Sequence, residues 1–461
     1  MTHTDAFGSE VTLNKQSTLD HWNKTSGAFL AHSSATPNHL AAVLEEAPTF
    51  ALAHAFQGIS YLSLGRRELI ENARTGLKNA KQAAAAVGCT KREGQYIQAL
   101  EAWLAGLPTQ AAAVMDNVLA ETPGDAMALK LGHAIRFILG DAKGMRHSIE
   151  AVLPVYDNTH PATGYVLGCH AFSVEETGDY ELAEAQGRKG LELAPDDAWG
   201  LHAIAHVFDM TGQPMAGAGW LGGQTERWAH CNNFGFHVWW HLALSLLAIG
   251  ATDEVLDLYD HKFRAECTDD YRDISNAASM LVRLEIEGVP VGNRWEELAD
   301  LCEKRSQDGC VVFADLHYMM PLARLGRAEA TKALIETLTK SATTMHGDMS
   351  SVASTAGVSA ARGILSYYSG NYREAYRHLA AARPSMQSVG GSHAQRDVFE
   401  RLTVDAAIRA DLLNEAMLIL GDREKNRGAP DAFSTARLKS FTVKPVDEDP
   451  RTVGAPAPLL A

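Results

Sequence analysis

The chain has 461 residues, 46% of them hydrophobic, and carries 41 basic against 56 acidic side chains for a net charge of −15. That composition suits a folded chain with an acidic surface, and with no Lys/Arg run to neutralise phosphates it argues against nucleic acid as a partner. No segment approaches the ~20 apolar residues of a membrane span, and the start MTHTDAFGSEVTLNKQS lacks the basic and apolar regions of a signal peptide, so no membrane and a cytoplasmic location are expected.

Residues 1–35 read as an irregular segment with one short helix around Ser17 to Ala31. From there a regularity takes over: Gly65, Gly106, Gly140, Gly178, Gly212, Gly250, Gly288, Gly326 and Gly370 each close an apolar helical segment. Their separations of 41, 34, 38, 34, 38, 38, 38 and 44 residues are those of a two-helix repeat. The segments before the glycines, such as AMALKLGHAIRFILG, show helical apolar periodicity. Those after them, such as GDYELAEAQGRKGLELAPDD, match the tetratricopeptide pattern with a proline stop. The fold class expected is all-α, a tetratricopeptide-like α-solenoid of about nine hairpins over 36–422 with an enclosed concave pocket. KSATTMHGDMSSVAST reads as a long loop that could cover an opening, and 423–461 as an extended tail. The six cysteines, Cys89, Cys169, Cys231, Cys267, Cys302 and Cys310, form no C-x-x-C and are expected to be reduced thiols.

At HAIAHVFDM, FHVWWHLAL, SMLVRLEIEGVPVGNRW, FADLHYMM and GGSHAQRDVFE the chain resembles the tetratricopeptide repeat protein 38 family, over roughly Ala47 to Ala410. The resemblance implies the helical-repeat fold and says little about reaction type. Matched by position, it carries over His202, His206, Asp209, His237, His241, Asp273, Arg283, Asp315, His317, Gln395, Arg396 and Asp397. Val238 stands where the family has asparagine, His393 where some members have asparagine, and Cys169 with His170 where small or apolar residues are usual.

Two H-x-x-x-H pairs, His202/His206 and His237/His241, each put two imidazoles on one helix face. Register extends that face. Counted back from the glycine stops, His206 lies at −6, Cys169, His241 and His317 at −9, His202 at −10 and His237 at −13, and offsets differing by 3, 4 or 7 share a face.

Three functions follow for such a face. The one favoured is a small-molecule hydrolase for an amide, ester or activated C–N or C–C bond. Cys169 is its nucleophile, His206 or His241 the base, Asp209 the orienting acid, and His202 and His237 line the same catalytic surface. An aromatic or anionic substrate would then be held by Arg283, Arg396, Asp397, His317, His393, Trp239 and Trp240. In that reading no cofactor is needed. The first alternative is a metal-dependent enzyme with zinc or iron on His202, His206, His237 and His241, although HAIAH lacks the glutamate of a zincin motif. The second is a non-catalytic scaffold for a peptide or protein. A homo-oligomer is left open.

Overall fold

The structure, a computed structural model, describes residues 2–344 and 346–442. All nine glycine stops are left-handed, with φ from 61° at Gly65 to 89° at Gly178. Only glycine takes that backbone without crowding its Cβ, so the helix ends where the glycine stands. Each stop separates two helices. They are Ala51–Ser63 and Leu69–Val87, Lys91–Leu104 and Pro108–Glu121, Ala126–Leu139 and Ala142–Val152, and Thr163–Glu175 and Tyr180–Leu193. Next come Ala198–Met210 and Pro214–Gly222, Phe234–Ala248 and Thr252–Leu258, Tyr271–Ile286 and Arg294–Arg305, Val312–Arg324 and Ala328–Thr344, and Val358–Tyr368 and Tyr372–Ala382. The chain is a tetratricopeptide-like α-solenoid. Its sheet, among the described residues, is one strand pair, His3–Thr4 with Glu10–Val11.

Two further hairpins escape the glycine count. Gln16–Leu30 turns into Thr36–Glu46 through His32 at φ 55°, and His393–Arg409 turns into Leu413–Asn426 through Asp411 at φ 59°. Histidine and aspartate enter the left-handed region more readily than most side chains, so they serve as stops without announcing themselves. The segment read as irregular, 1–35, therefore supplies the first helix and the turn of a hairpin, with the short helix where it was placed, and the second helix follows directly at Thr36–Glu46.

At the other end, the boundary drawn between 422 and 423 falls inside a helix. Arg423 is 3% exposed, and its guanidinium is paired with Asp397, Glu400 and Asp431, so the chain there is core rather than tail. A last helix spans Ala432–Thr442, and 443–461 lie outside the described residues. The expected loop KSATTMHGDMSSVAST is also largely helical, with Gly347 between Ala328–Thr344 and Asp348–Val352.

The solenoid curls until its two halves meet. Arg66 pairs with Asp269 at 2.5 Å and Arg305 with Glu68 at 2.7 Å. Asp348 donates its amide to the Gly106 carbonyl at 3.0 Å and accepts from the Thr109 amide at 2.7 Å. Gln387 Nε2 donates to the Gly140 carbonyl at 3.1 Å, and Arg427 pairs with Asp209 at 2.9 Å. The first helices, which would line an open groove, are thus covered by the chain's own later hairpins.

Candidate metal centre

The helix Ala198–Met210 starts at Asp197, whose carboxylate accepts from the Gly200 amide at 3.0 Å, and it packs beside Phe234–Ala248. Four-residue spacing stacks His202 over His206 on one helix and His237 over His241 on the other. Packing the two helices together closes the square. Ring centroids are 4.7 Å apart within each pair, and 4.4 Å for His206–His241, 5.0 Å for His202–His241 and 5.2 Å for His202–His237 across the helices. One ring nitrogen from each of the four lies within 4.8 Å of all the others. His202 and His206 are 1% exposed, His241 2% and His237 8%.

The outward nitrogens decide what the inward ones can do. His202 Nδ1 lies 3.0 Å from the Trp199 carbonyl, which can only accept, so Nδ1 carries the proton and Nε2 is a bare lone pair. His237 Nδ1 donates to Asn276 Oδ1 at 2.9 Å, baring its Nε2 in the same way. His206 Nε2 stands 3.0 Å from His202 Nε2, and His241 Nε2 3.2 Å from His237 Nε2. A tetrahedral ion with bonds of about 2.0–2.1 Å sets its ligand nitrogens about 3.3 Å apart, close to these spacings.

The surroundings favour neutral rings. Burial drives the protonation of His202, His206 and His241 well below the ordinary range, and the like charge each would feel from its neighbours adds to this. His237, lowered by burial against the help of Asn276, comes down to about 4. Neutral imidazole is the metal-binding form. On the outer side Trp240 stacks on His237 at 5.3 Å, and Arg283 lies over Trp240 at 5.5 Å.

The remaining expected site residues go elsewhere. Cys169 is 1% exposed, with Lys130 Nζ 3.6 Å from its sulfur, and burial pushes the thiol up to about 11. Burial favours the thiol over the thiolate there, against the pull of Lys130. Asp209 is held by Arg427 instead of orienting a histidine. His317 is fully buried, donates Nδ1 to the Phe313 carbonyl at 2.8 Å and packs edge-on against Phe399. Trp239 meets Trp228 edge-on at 5.1 Å and lies under Lys262. Trp240 is a wall of the histidine square.

Arg283, brought down to about 9 by burial, donates to the Ala394 carbonyl at 2.6 Å and lies 3.6 Å from Asp397. Arg401 and Arg423 also pair with Asp397 and hold its carboxyl well below the usual range despite burial. Ser392 caps the helix His393–Arg409, and the anion at that helix start is Glu176, which accepts the His393 amide at 2.7 Å. Arg396 pairs with the same carboxylate at 3.2 Å. His393, Arg396 and Asp397 line a cleft of about 780 Å³, together with Glu176, Arg383 and Arg423.

Sequence reasoning passed over two residues that touch the square. Glu175, with a side chain that is 0% exposed, puts Oε2 3.5 Å from His206 Nδ1. Asn276 fixes His237. Their offsets from Gly178 and Gly288 are −3 and −12, on the same helical face as the histidines, so the register that found the square could have found them too.

No known protein-family model matches the chain. Among solved structures it is similar to human IFIT1 dimers with PPP-AAAA (13% identity, 94% of this chain, 95% of that chain, TM-score 0.40) and with m7Gppp-AAAA (15% identity, 94% and 95%, TM-score 0.38). It is also similar to Naa15/Naa10 bound to HypK-THB (11% identity, 89% of this chain, 64% of that chain, TM-score 0.25). The run of helical hairpins defines the class: a tetratricopeptide-like helical-repeat protein. One expectation is corrected here. An acidic net charge does not exclude nucleic acid for this fold, since the IFIT1 structures carry PPP-AAAA and m7Gppp-AAAA, and the expected small-molecule substrate is withdrawn with that exclusion. No helix among the described residues is long and apolar enough to cross a membrane.

Proposed function

We propose that this protein is a helical-repeat scaffold built around a buried transition-metal ion held by His202, His206, His237 and His241, with zinc as the ion and iron as the alternative. At the level of family we read it as a relative of tetratricopeptide repeat protein 38, on the five sequence blocks that carry the resemblance.

One observation supports the ion above the rest: His202 and His206 turn Nε2 atoms toward each other at 3.0 Å while a carbonyl occupies the outer face of His202. Without an ion His206 Nε2–H would donate to the bare Nε2 of His202; an ion shared by the two nitrogens takes the place of that proton, with both rings as ligands. Four protein ligands fill a tetrahedral shell, which is the arrangement of a structural site rather than of one holding a water for hydrolysis. The ion would clip two successive hairpins together in the middle of the solenoid. The scaffold would bind a protein segment at the charged cleft beside Glu176 and Arg396. Burial holds Cys169 toward its thiol form, which favours the scaffold over a thiol hydrolase.

Elemental analysis of protein purified without added metal or affinity-column metal tests the reading. Stoichiometric zinc or iron that disappears in His202→Ala is the expected outcome. Protein free of transition metal, and unable to take up zinc after reconstitution, would refute it.

A further inference from the structure

We propose that His206 is shared with a second cation site, completed by Glu175 and Glu176, on the side of the ring away from the four-histidine square. The inference rests on the proposed square only through the shared ring of His206.

One ligand atom from each of Glu175, Glu176 and His206 lies within 4.8 Å of the other two. Glu175 ends the helix Thr163–Glu175, is 0% exposed, and has neither carboxylate oxygen in a hydrogen bond. His206 Nδ1, which faces it, has no hydrogen-bond partner either. The 3.5 Å between Oε2 and Nδ1 is too long for a charge-assisted hydrogen bond, which runs about 2.7–2.9 Å. It matches the separation of two ligands on one ion with bonds of about 2.0–2.1 Å.

Charge points the same way. Glu176 already has Arg396 at 3.2 Å, and Asp209 has Arg427 at 2.9 Å, so those two acids are balanced. Glu175 has His206 as its one ion-pair contact among the described residues, and burial pushes its carboxyl well above the usual range, so as an anion it needs a cation beside it. An isolated buried anion is costly and is normally neutralised or matched to a cation. A divalent ion bound by Glu175, Glu176 and His206 Nδ1 would supply that match, with the remaining ring proton of His206 released to solvent so that the ring serves both ions as an imidazolate.

Three protein ligands leave a coordination position open, unlike the filled square on the other face of the ring. Glu176 also lines the cleft of about 780 Å³, as does Met210, one turn beyond His206 on its helix. The cleft therefore gives the second ion a route to solvent that the square lacks. Two carboxylates and one imidazole suit zinc, iron(II) or manganese(II).

The test is zinc stoichiometry. Chelator-stripped protein is titrated with zinc chloride by calorimetry, and the bound metal is counted by elemental analysis after gel filtration. Two equivalents in the wild type and one in Glu175→Gln are expected. Glu175→Asp keeps the charge at shorter reach and guards against misfolding of the neutral variant; in it the second equivalent is expected to bind roughly tenfold or more weakly. One equivalent in the wild type, whatever the variants hold, or two in Glu175→Gln, overturns the second site and leaves the square standing. None in the wild type overturns the square as well.

Discussion

Removing one ligand from the square tests the metal reading most directly. In His202→Ala the lone pair facing His206 disappears, and three imidazoles remain around the ion. An ion present at 1,000 times its dissociation constant stabilises the folded state by about 4 kcal/mol. For a single cooperative unit of about 440 residues, at roughly 2.1 cal/mol/K of unfolding entropy per residue, that corresponds to about 4 °C in Tm. Truncation also leaves a hole between the two helices, so a lower Tm alone proves nothing. The diagnostic is the response to chelator. Calorimetric melts of wild type and variant, each with and without a strong chelator, should show the wild type falling by that interval and the variant, already lower, not moving. The reasoning fails if wild-type Tm is unchanged by chelation and zinc does not raise it. In that case the square would be held by a proton chain running from a protonated Glu175 through His206 to His202.

Other outcomes follow from the same geometry. Cys169→Ser should keep full metal content, because the thiol touches Lys130 and not the square; loss of the ion on elemental analysis would contradict its placement. His317 is pushed down to about 3 from an ordinary 6.5, so the unfolded chain binds more protons between those values and this group's stabilisation is lost as pH falls through them. His317→Leu should therefore flatten the acid limb of a denaturation-midpoint curve by up to about 4–5 kcal/mol. Asp315, pushed up to about 7, acts with the opposite sign and should then dominate that limb. Gly140→Ala and Gly178→Ala share the left-handed backbone penalty of about 1–2 kcal/mol. A methyl at 140 also collides with the Gln387 carbonyl while one at 178 meets open space, so urea denaturation should find Gly140→Ala clearly the less stable.

The repeat was legible because glycine is nearly obligatory at its stops, and all nine took the backbone that the spacing implied. The terminal hairpins were not, because His32 and Asp411 adopt the same conformation while looking like ordinary surface residues. Helical phase placed His202, His206, His237 and His241 on one face, and they do meet. What phase cannot supply is distance between helices or the identity of neighbours. Cys169 faces Lys130, a residue from the preceding hairpin, and Asp209, Arg396 and Asp397 face ion-pair partners elsewhere in the fold. The Arg427–Asp209 and Arg396–Glu176 pairs join residues more than 200 positions apart, which no local pattern announces.

The meeting of the two halves has a consequence for how the molecule comes apart. An open solenoid behaves as a one-dimensional chain of neighbours and can melt inward from either end, one repeat at a time. Here Arg66 and Glu68 are tied to Asp269 and Arg305, and Gly106 and Gly140 to Asp348 and Gln387, so early hairpins cannot fray without releasing late ones. A gradual, end-first transition should give way to a single sharp one, with slow amide exchange reaching even the second and third hairpins.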